Sequence, residues 1–182
     1  HIQGFEELNN LVEICELWYT PRILRDFEEK EELCEDAVAF LNEVDRRRKA
    51  ILKDPDNIES GNRIKIIGHD EILEEEKYAD LPDSCKVIPG TTIGQINGSD
   101  LSGECAVFIH APFSDDQGAE RNNTSLAIHL ALKQCEHQLE CLLLGDREYP
   151  TIMQIFQVSE ENNNEAFLSW DVLLAPHHCS KK

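Results

Sequence analysis

Two apolar runs in this chain end abruptly in side chains that can do chemistry. "CLLLGD" closes on Asp146 directly after Gly145, and "DVLLAPHH" closes on His177 and His178 directly after Pro176. Glycine lets the backbone turn sharply and carry a carboxylate off the end of a strand. Proline halts a strand because it has no N–H to donate. A carboxylate and an imidazole presented from two strand ends are suitable direct ligands for zinc or a similar divalent ion. Neighbouring side chains in extended chain point opposite ways. One of the two imidazoles would therefore face the metal and the other a substrate or a neighbouring ligand.

Taken singly, each feature has a plainer explanation. An Asp after Gly serves as a turn or helix N-cap residue, and an isolated His-His pair sits on a surface. Together, each after an apolar strand, they favour a metal site, but a catalytic site takes about three or four protein ligands. The other histidines offer less. His69 in "IIGHDE" and His110 in "VFIHAP" end strands and fit as hydrogen-bonded edge residues, while His129 lies inside "SLAIHLAL" and His137 in a polar turn. Cys179, next to the pair, could ligate a soft metal or act as a reactive thiol. The chain contains no P-loop, GxGxxG, HExxH or GxSxG pattern, which counts against nucleotide-dependent, Rossmann, zincin and serine-hydrolase chemistry.

The elements that must position these residues follow from periodicity. "HIQGFEEL" predicts the first turns of a helix, with Phe5 and Leu8 at i, i+3, and the second half of "LVEICELWYTP" a short strand. Leu33, Ala37, Val38, Leu41 and Val44 recur at helical spacing. They predict the longest helix, from Phe27 to about Lys53, ended by "DPDN". Its tail "DRRRKAILK" is the basic cluster of the chain. A helix-terminal position would set Arg46, Arg47, Arg48 and Lys49 favourably against the dipole, and contact with a phosphate is the alternative. From "RIKIIG" onward, short apolar runs ("KVIPG", "TIGQI", "CAVFIHAP", "SLAIHLAL", "CLLLG", "DVLLAP") alternate with Gly, Pro, Asn, Asp and Ser. These predict strands with tight connections, interrupted by one helix, "REYPTIMQIFQVSE", whose Pro150 suits a first turn. The fold class is α/β in the broad sense, a layered α+β mixture with mixed or antiparallel sheets.

At 182 residues the chain can bury one real core, and 41% apolar with 29% charged residues is ordinary for a globular protein. No run approaches the roughly 18 apolar residues of a membrane span. The net charge of −19 repels polyanions and argues against broad, non-specific DNA binding, although divalent cations can reverse the potential locally. The acidity concentrates in "DFEEKEELCED" and "DEILEEE", which predict solvated helix faces. Seven scattered cysteines without a CxxC pair, and no targeting segment, suggest free thiols in a reducing cytoplasm. The "NGS" at Asn97 and the "NNT" and "NTS" at Asn122 and Asn123 are expected to be turns rather than glycosylation sites.

The run "NNTSLAIHLAL…CLLLGD…WDVLLAPHHCS" resembles the metallo-β-lactamase superfamily, in the branch found in DNA-uptake competence proteins and their soluble relatives. There, an Asn-x-Ser-Leu strand precedes a strand ending in Gly-Asp, a helix, and a strand ending in His-His-Gly-Ser. The matching residues are Asn123, Ser125 and Leu126, then Gly145 and Asp146, then His177, His178, Cys179 and Ser180. Cys179 departs from the usual glycine. The opening "HIQGFEEL" is similar to the close of the family's His-x-His-x-Asp-His motif, with Ile2, Gly4 and Leu8 on the helix behind it. The chain is then expected to begin one residue inside that motif. Residues 20 to about 104 share only a general alternation of helices and strands.

The resemblance implies one αββα sandwich over residues 1–182, incomplete at the N-terminus, with an acidic helical insertion at about 22–85. It implies one or two zinc ions, with His1 as a ligand, Asp146 as the bridging carboxylate, and His177 in preference to His178 completing the second metal. The aspartate orienting the nucleophile would lie upstream. The implied activity is hydrolysis of a phosphodiester, a nucleotide or nucleic acid, by metal-activated water, in the cytoplasm and without a membrane. The alternatives are a non-catalytic or truncated module that binds a protein partner through the acidic insertion, or thiol chemistry at Cys179.

Overall fold

The computed structural model describes residues 3–21, 33–114 and 121–176. The protein is mixed α+β, with four α-helices and three sheets among the described residues. The chain divides into two compact units, His1–Val87 and Ile88–Lys182. No helix among the described residues is long and apolar enough to cross a membrane.

The first unit runs α1 (Phe5–Leu11), β1 (Glu16–Tyr19), α2 (Glu35–Lys53), β2 (Arg63–Ile67), α3 (Asp70–Leu73) and β3 (Lys86–Val87). Its sheet is parallel throughout, in the order β1-β2-β3, with Tyr19 opposite Ile66 and Ile67 opposite Val87. Parallel neighbours need a long return connection, and α2 falls between β1 and β2 as that crossover. The helix buries Ala37, Val44 and Ile51, spaced by sevens so that one stripe faces the core. Val44 and Ile51 join a cluster with Leu17, Tyr19, Ile64, Ile66 and Ile72. Phe40 adds edge-on ring contacts with Phe5 at 5.1 Å and Tyr19 at 5.5 Å.

Asp36, in the first turn of α2, accepts hydrogen bonds from the Gly4 and Glu6 amides at 2.8 and 3.0 Å. These amides hold its carboxyl below the usual range, and they tie the start of α1 to the start of α2. The other end of α2 is set by Pro55, which disfavours helical backbone at Asp54. Within the segment 22–85, β2 is the middle strand of this sheet, so that segment is no purely helical addition.

The basic run differs from expectation. It sits inside α2 rather than at its terminus, and its charges meet side chains instead of the helix dipole. Arg46 binds Glu43, Arg48 and Lys49 bind Asp45, and Arg47 is buried. Arg47 donates to Glu43 Oε1 at 2.6 Å, to the Arg63 carbonyl at 2.9 Å and to the Ile14 carbonyl at 2.7 Å. It links α2 to the backbone beside β1 and β2, which leaves it no role at a phosphate.

The second unit runs β4 (Thr92–Ile93), β5 (Gln95–Ile96), β6 (Ser99–Asp100), β7 (Cys105–Ala111), β8 (Ala127–Gln134), β9 (His137–Leu143), α4 (Tyr149–Glu161) and β10 (Val172–Leu174). Five strands form a sheet in the order β10-β9-β8-β7-β4. All its pairs are antiparallel except β9 with β10, the pair bridged by α4. Ala111, Phe113, Ala127, Leu142, Leu144 and Ile155 make its buried cluster. The β5–β6 hairpin turns at Asn97 and Gly98, both at positive φ, as its Asn-Gly pair predicts.

Candidate functional site

The sheet of the second unit brings the chemically interesting ends together. β9 and β10 are parallel, with Cys141, Leu142 and Leu143 opposite Val172, Leu173 and Leu174. Ile128 lies opposite Leu143, and Ala111 opposite Ala127. One end of the sheet therefore collects the exits of β7, β9 and β10 and the start of β8. Asp146 follows Leu143 by three residues, and in the sequence His177 follows Leu174 by three. Among the described residues the ladder ends at Leu143 opposite Leu174.

The turn carrying Asp146 is tightly specified. Gly145 has φ +62°, and a Cβ built there would lie 2.8 Å from Ser125 Cβ and 2.9 Å from the Leu126 carbonyl oxygen. Only glycine satisfies both the left-handed backbone and that approach. Asp146 is half-buried. The N-cap position of α4 belongs to Glu148, two residues on. Arg147, fully buried, donates from Nε to the Ser125 carbonyl at 2.9 Å and sets its guanidinium 5.3 Å from the centre of the Phe113 ring. The Glu148 amide donates to Asn123 Oδ1 at 3.0 Å. The Thr151 hydroxyl lies 3.0 Å from both Asn123 Oδ1 and the Glu148 carbonyl, a donor shared between two acceptors. Asn122 and Asn123 belong to a 3-10 turn, Arg121–Thr124, in agreement with their reading as turn residues.

Of the predicted site residues, Asp146 alone is described. His1, His177 and His178, with Cys179, lie outside the described residues. No group of three or more His, Cys, Asp or Glu that could hold a metal ion occurs among the described residues. Asp146 sits in a fixed turn past the end of β9, the strand paired with β10.

The remaining histidines resolve differently from their sequence reading. His69 is the N-cap residue of the short α3, and His137 begins β9. His110 is not at an edge, because β7 has β8 and β4 on either side. Its ring is buried: Nε2 donates to the Phe167 carbonyl at 3.0 Å, and Nδ1 accepts from the Ser159 hydroxyl at 3.3 Å. Burial pushes its pKa down to about 4. Phe167 stacks on Phe108 with ring centres 3.9 Å apart and planes almost parallel. His129, equally buried, faces Glu140 with 3.9 Å between Nε2 and Oε2, longer than a hydrogen bond. Glu140 accepts from the Ser169 hydroxyl, and its amide donates to Asp171 at 2.9 Å.

This second polar group fastens the 3-10 turn Glu165–Leu168, and with it the approach to β10, onto the sheet face. Periodicity marked His110 and His129 as strand residues, but the sequence carries no signal that Phe167 and Ser159 would cover one of them. The six cysteines among the described residues are all free thiols. No protein-family model, curated protein or solved structure matches the chain.

Proposed function

We propose that this chain is part of a metal-dependent hydrolase of the metallo-β-lactamase type, an αββα sandwich cleaving a phosphodiester such as a nucleotide or nucleic acid. One observation carries the reading. The parallel pairing of β9 and β10 puts Leu143 opposite Leu174, and in the sequence Asp146 and His177 each follow by three residues. A carboxylate and an imidazole are suitable ligands for a divalent cation, and a catalytic site keeps a further position open for water.

Asp146 and His177 would hold the ion, with His178 directed toward substrate; His1 enters as a ligand on the family resemblance alone. Bound zinc would supply a water acidified to a pKa of about 7 as the nucleophile. The chain's own contribution is the fixed direction of the ligands. Gly145 sets the turn, and Arg147 holds it against Ser125.

The test is zinc stoichiometry and phosphodiesterase activity of the natural full-length protein and of its Asp146→Asn and Cys179→Ala variants. The reading expects stoichiometric zinc, lost with activity in Asp146→Asn and retained in Cys179→Ala. Absence of stoichiometric zinc from the wild type overturns it, and loss of activity in Cys179→Ala alone transfers the chemistry to the thiol.

A second reading, a non-catalytic module for a protein partner, has one observation in its favour. Strand β10 lies at the sheet's edge with Val172, Leu173 and Leu174 exposed, next to an exposed Trp170. Such an edge offers both hydrogen bonds and apolar surface to another chain. A zinc-free wild type would leave this reading standing.

A further inference from the structure

We infer that Asn123 is a positioning residue for the candidate site: its side-chain oxygen caps α4 from outside and thereby fixes the direction in which Asp146 is presented. The inference rests on the metal-hydrolase reading and deepens it.

A helix leaves its first N–H groups without intrahelical partners, and the N-cap side chain ordinarily accepts from one of them. In α4 the N-cap residue Glu148 makes no such bond. An acceptor comes instead from Asn123, 25 positions earlier, which takes the Glu148 N–H and the Thr151 hydroxyl. Because an N–H donor faces it, the atom at this place is the amide oxygen, and the orientation of the Asn side chain is settled by its partner.

The cap does not act alone. The segment 123–126 grips the segment 145–148 at three points. Gly145 passes Ser125 and Leu126 so closely that a Cβ would not fit, Arg147 donates to the Ser125 carbonyl, and Glu148 donates to Asn123. Asp146 stands between the first grip and the other two. With both flanks held, the backbone of Asp146 has little freedom, and a ligand with little freedom loses less entropy when it binds. Releasing the Asn123 end frees one flank. A cap that only stabilised α4 would have no such consequence for Asp146.

The two roles separate by experiment. Zinc affinity is measured by competition with a chelator, using zinc chloride and the natural full-length protein, at a temperature where every variant is folded. Asn123→Ala removes the acceptor; Asn123→Asp retains it and places negative charge where the helix dipole favours it. Gln157→Gly, on the exposed side of α4, lowers helix stability by a similar amount without touching the turn.

The expected result is a loss of about 10–100-fold in zinc affinity for Asn123→Ala, the usual effect of removing a group that orients a ligand. Asn123→Asp and Gln157→Gly should both stay near wild type. Hydrogen exchange at the Glu148 amide should accelerate in Asn123→Ala and not in Asn123→Asp. If Asp146→Asn loses zinc while Asn123→Ala binds as wild type, or if Gln157→Gly loses affinity equally, the positioning role is overturned and the metal reading stands. If Asp146→Asn binds zinc as well as wild type does, both fall.

Discussion

Arg47 and Arg147 head the fully buried side chains among the described residues, one in each unit, and they sit in different company. Arg47 is neutralised by Glu43 on its own helix and spends its remaining donors on two carbonyls beside β1 and β2. Arg147 lies one residue past a candidate ligand, with an aromatic ring 5.3 Å away and a carbonyl of the Asn123–Leu126 segment. Both spare backbone oxygens the cost of burial without a donor. The first does so in the middle of a fold. The second does so beside the Gly145–Asp146 turn of the proposed site. A buried cation therefore says nothing of function until the residue next to it is considered.

Breaking the first clamp should have the largest effect. Arg47→Met leaves the Ile14 and Arg63 carbonyls without their donor and Glu43 with Arg46 alone, and is expected to cost the first unit about 3–5 kcal/mol. The two tryptophans allow this to be followed by unit. Urea unfolding reported by Trp18 fluorescence in a Trp170→Phe background should show the loss, with zinc affinity unchanged.

Acid should discriminate in the opposite direction. His110 has a pKa near 4 in the folded state against an ordinary value of 6.5. Between these values the unfolded chain binds the proton and the folded chain does not. Stability is thus full above about pH 6.5 and falls by about 3 kcal/mol as the pH drops to 4. Trp170 in a Trp18→Phe background should register this loss, and His110→Phe should flatten it.

Smaller still, Gly145→Ala combines left-handed backbone with contacts below 3 Å, for about 2–3 kcal/mol of destabilisation. Unlike Arg47→Met, it should also weaken zinc binding, which a titration would reveal. The smallest effect belongs to Arg46→Ala. Its own side chain is half exposed to water, and no more than about 1 kcal/mol should be lost in the same unfolding assay.

Strands were the legible part of this molecule. Every apolar run from "RIKIIG" to "DVLLAP" forms one, and the Pro150 helix lies where its first-turn proline predicts. Short apolar runs between Gly, Pro and Asn admit few other solutions. The fate of the "RRR" run was not legible, because three consecutive residues of a helix face three directions and only tertiary contacts decide which is inward. The direction of pairing was equally hidden: a strand's composition does not state whether its neighbour runs with it or against it. Of the candidate site, the Gly145–Asp146 turn could be read from residue types. The grip of Asn123 and Ser125 upon it joins positions more than 20 residues apart, beyond the reach of any local pattern.

The parallel seam between β9 and β10 also has a consequence in time. β7, β8 and β9 are successive neighbours in a meander, and β8 and β9 meet across a turn at Cys135 and Glu136. The contacts that seat β10, such as Asp171 on Glu140, span 31 residues and wait for α4 to form and dock. Long closures are slow compared with hairpins. In a refolding chain the meander and the Asp146 turn should be in place while β10 is still unpaired. Pulse-labelling would then find amide protection in β8 before β10.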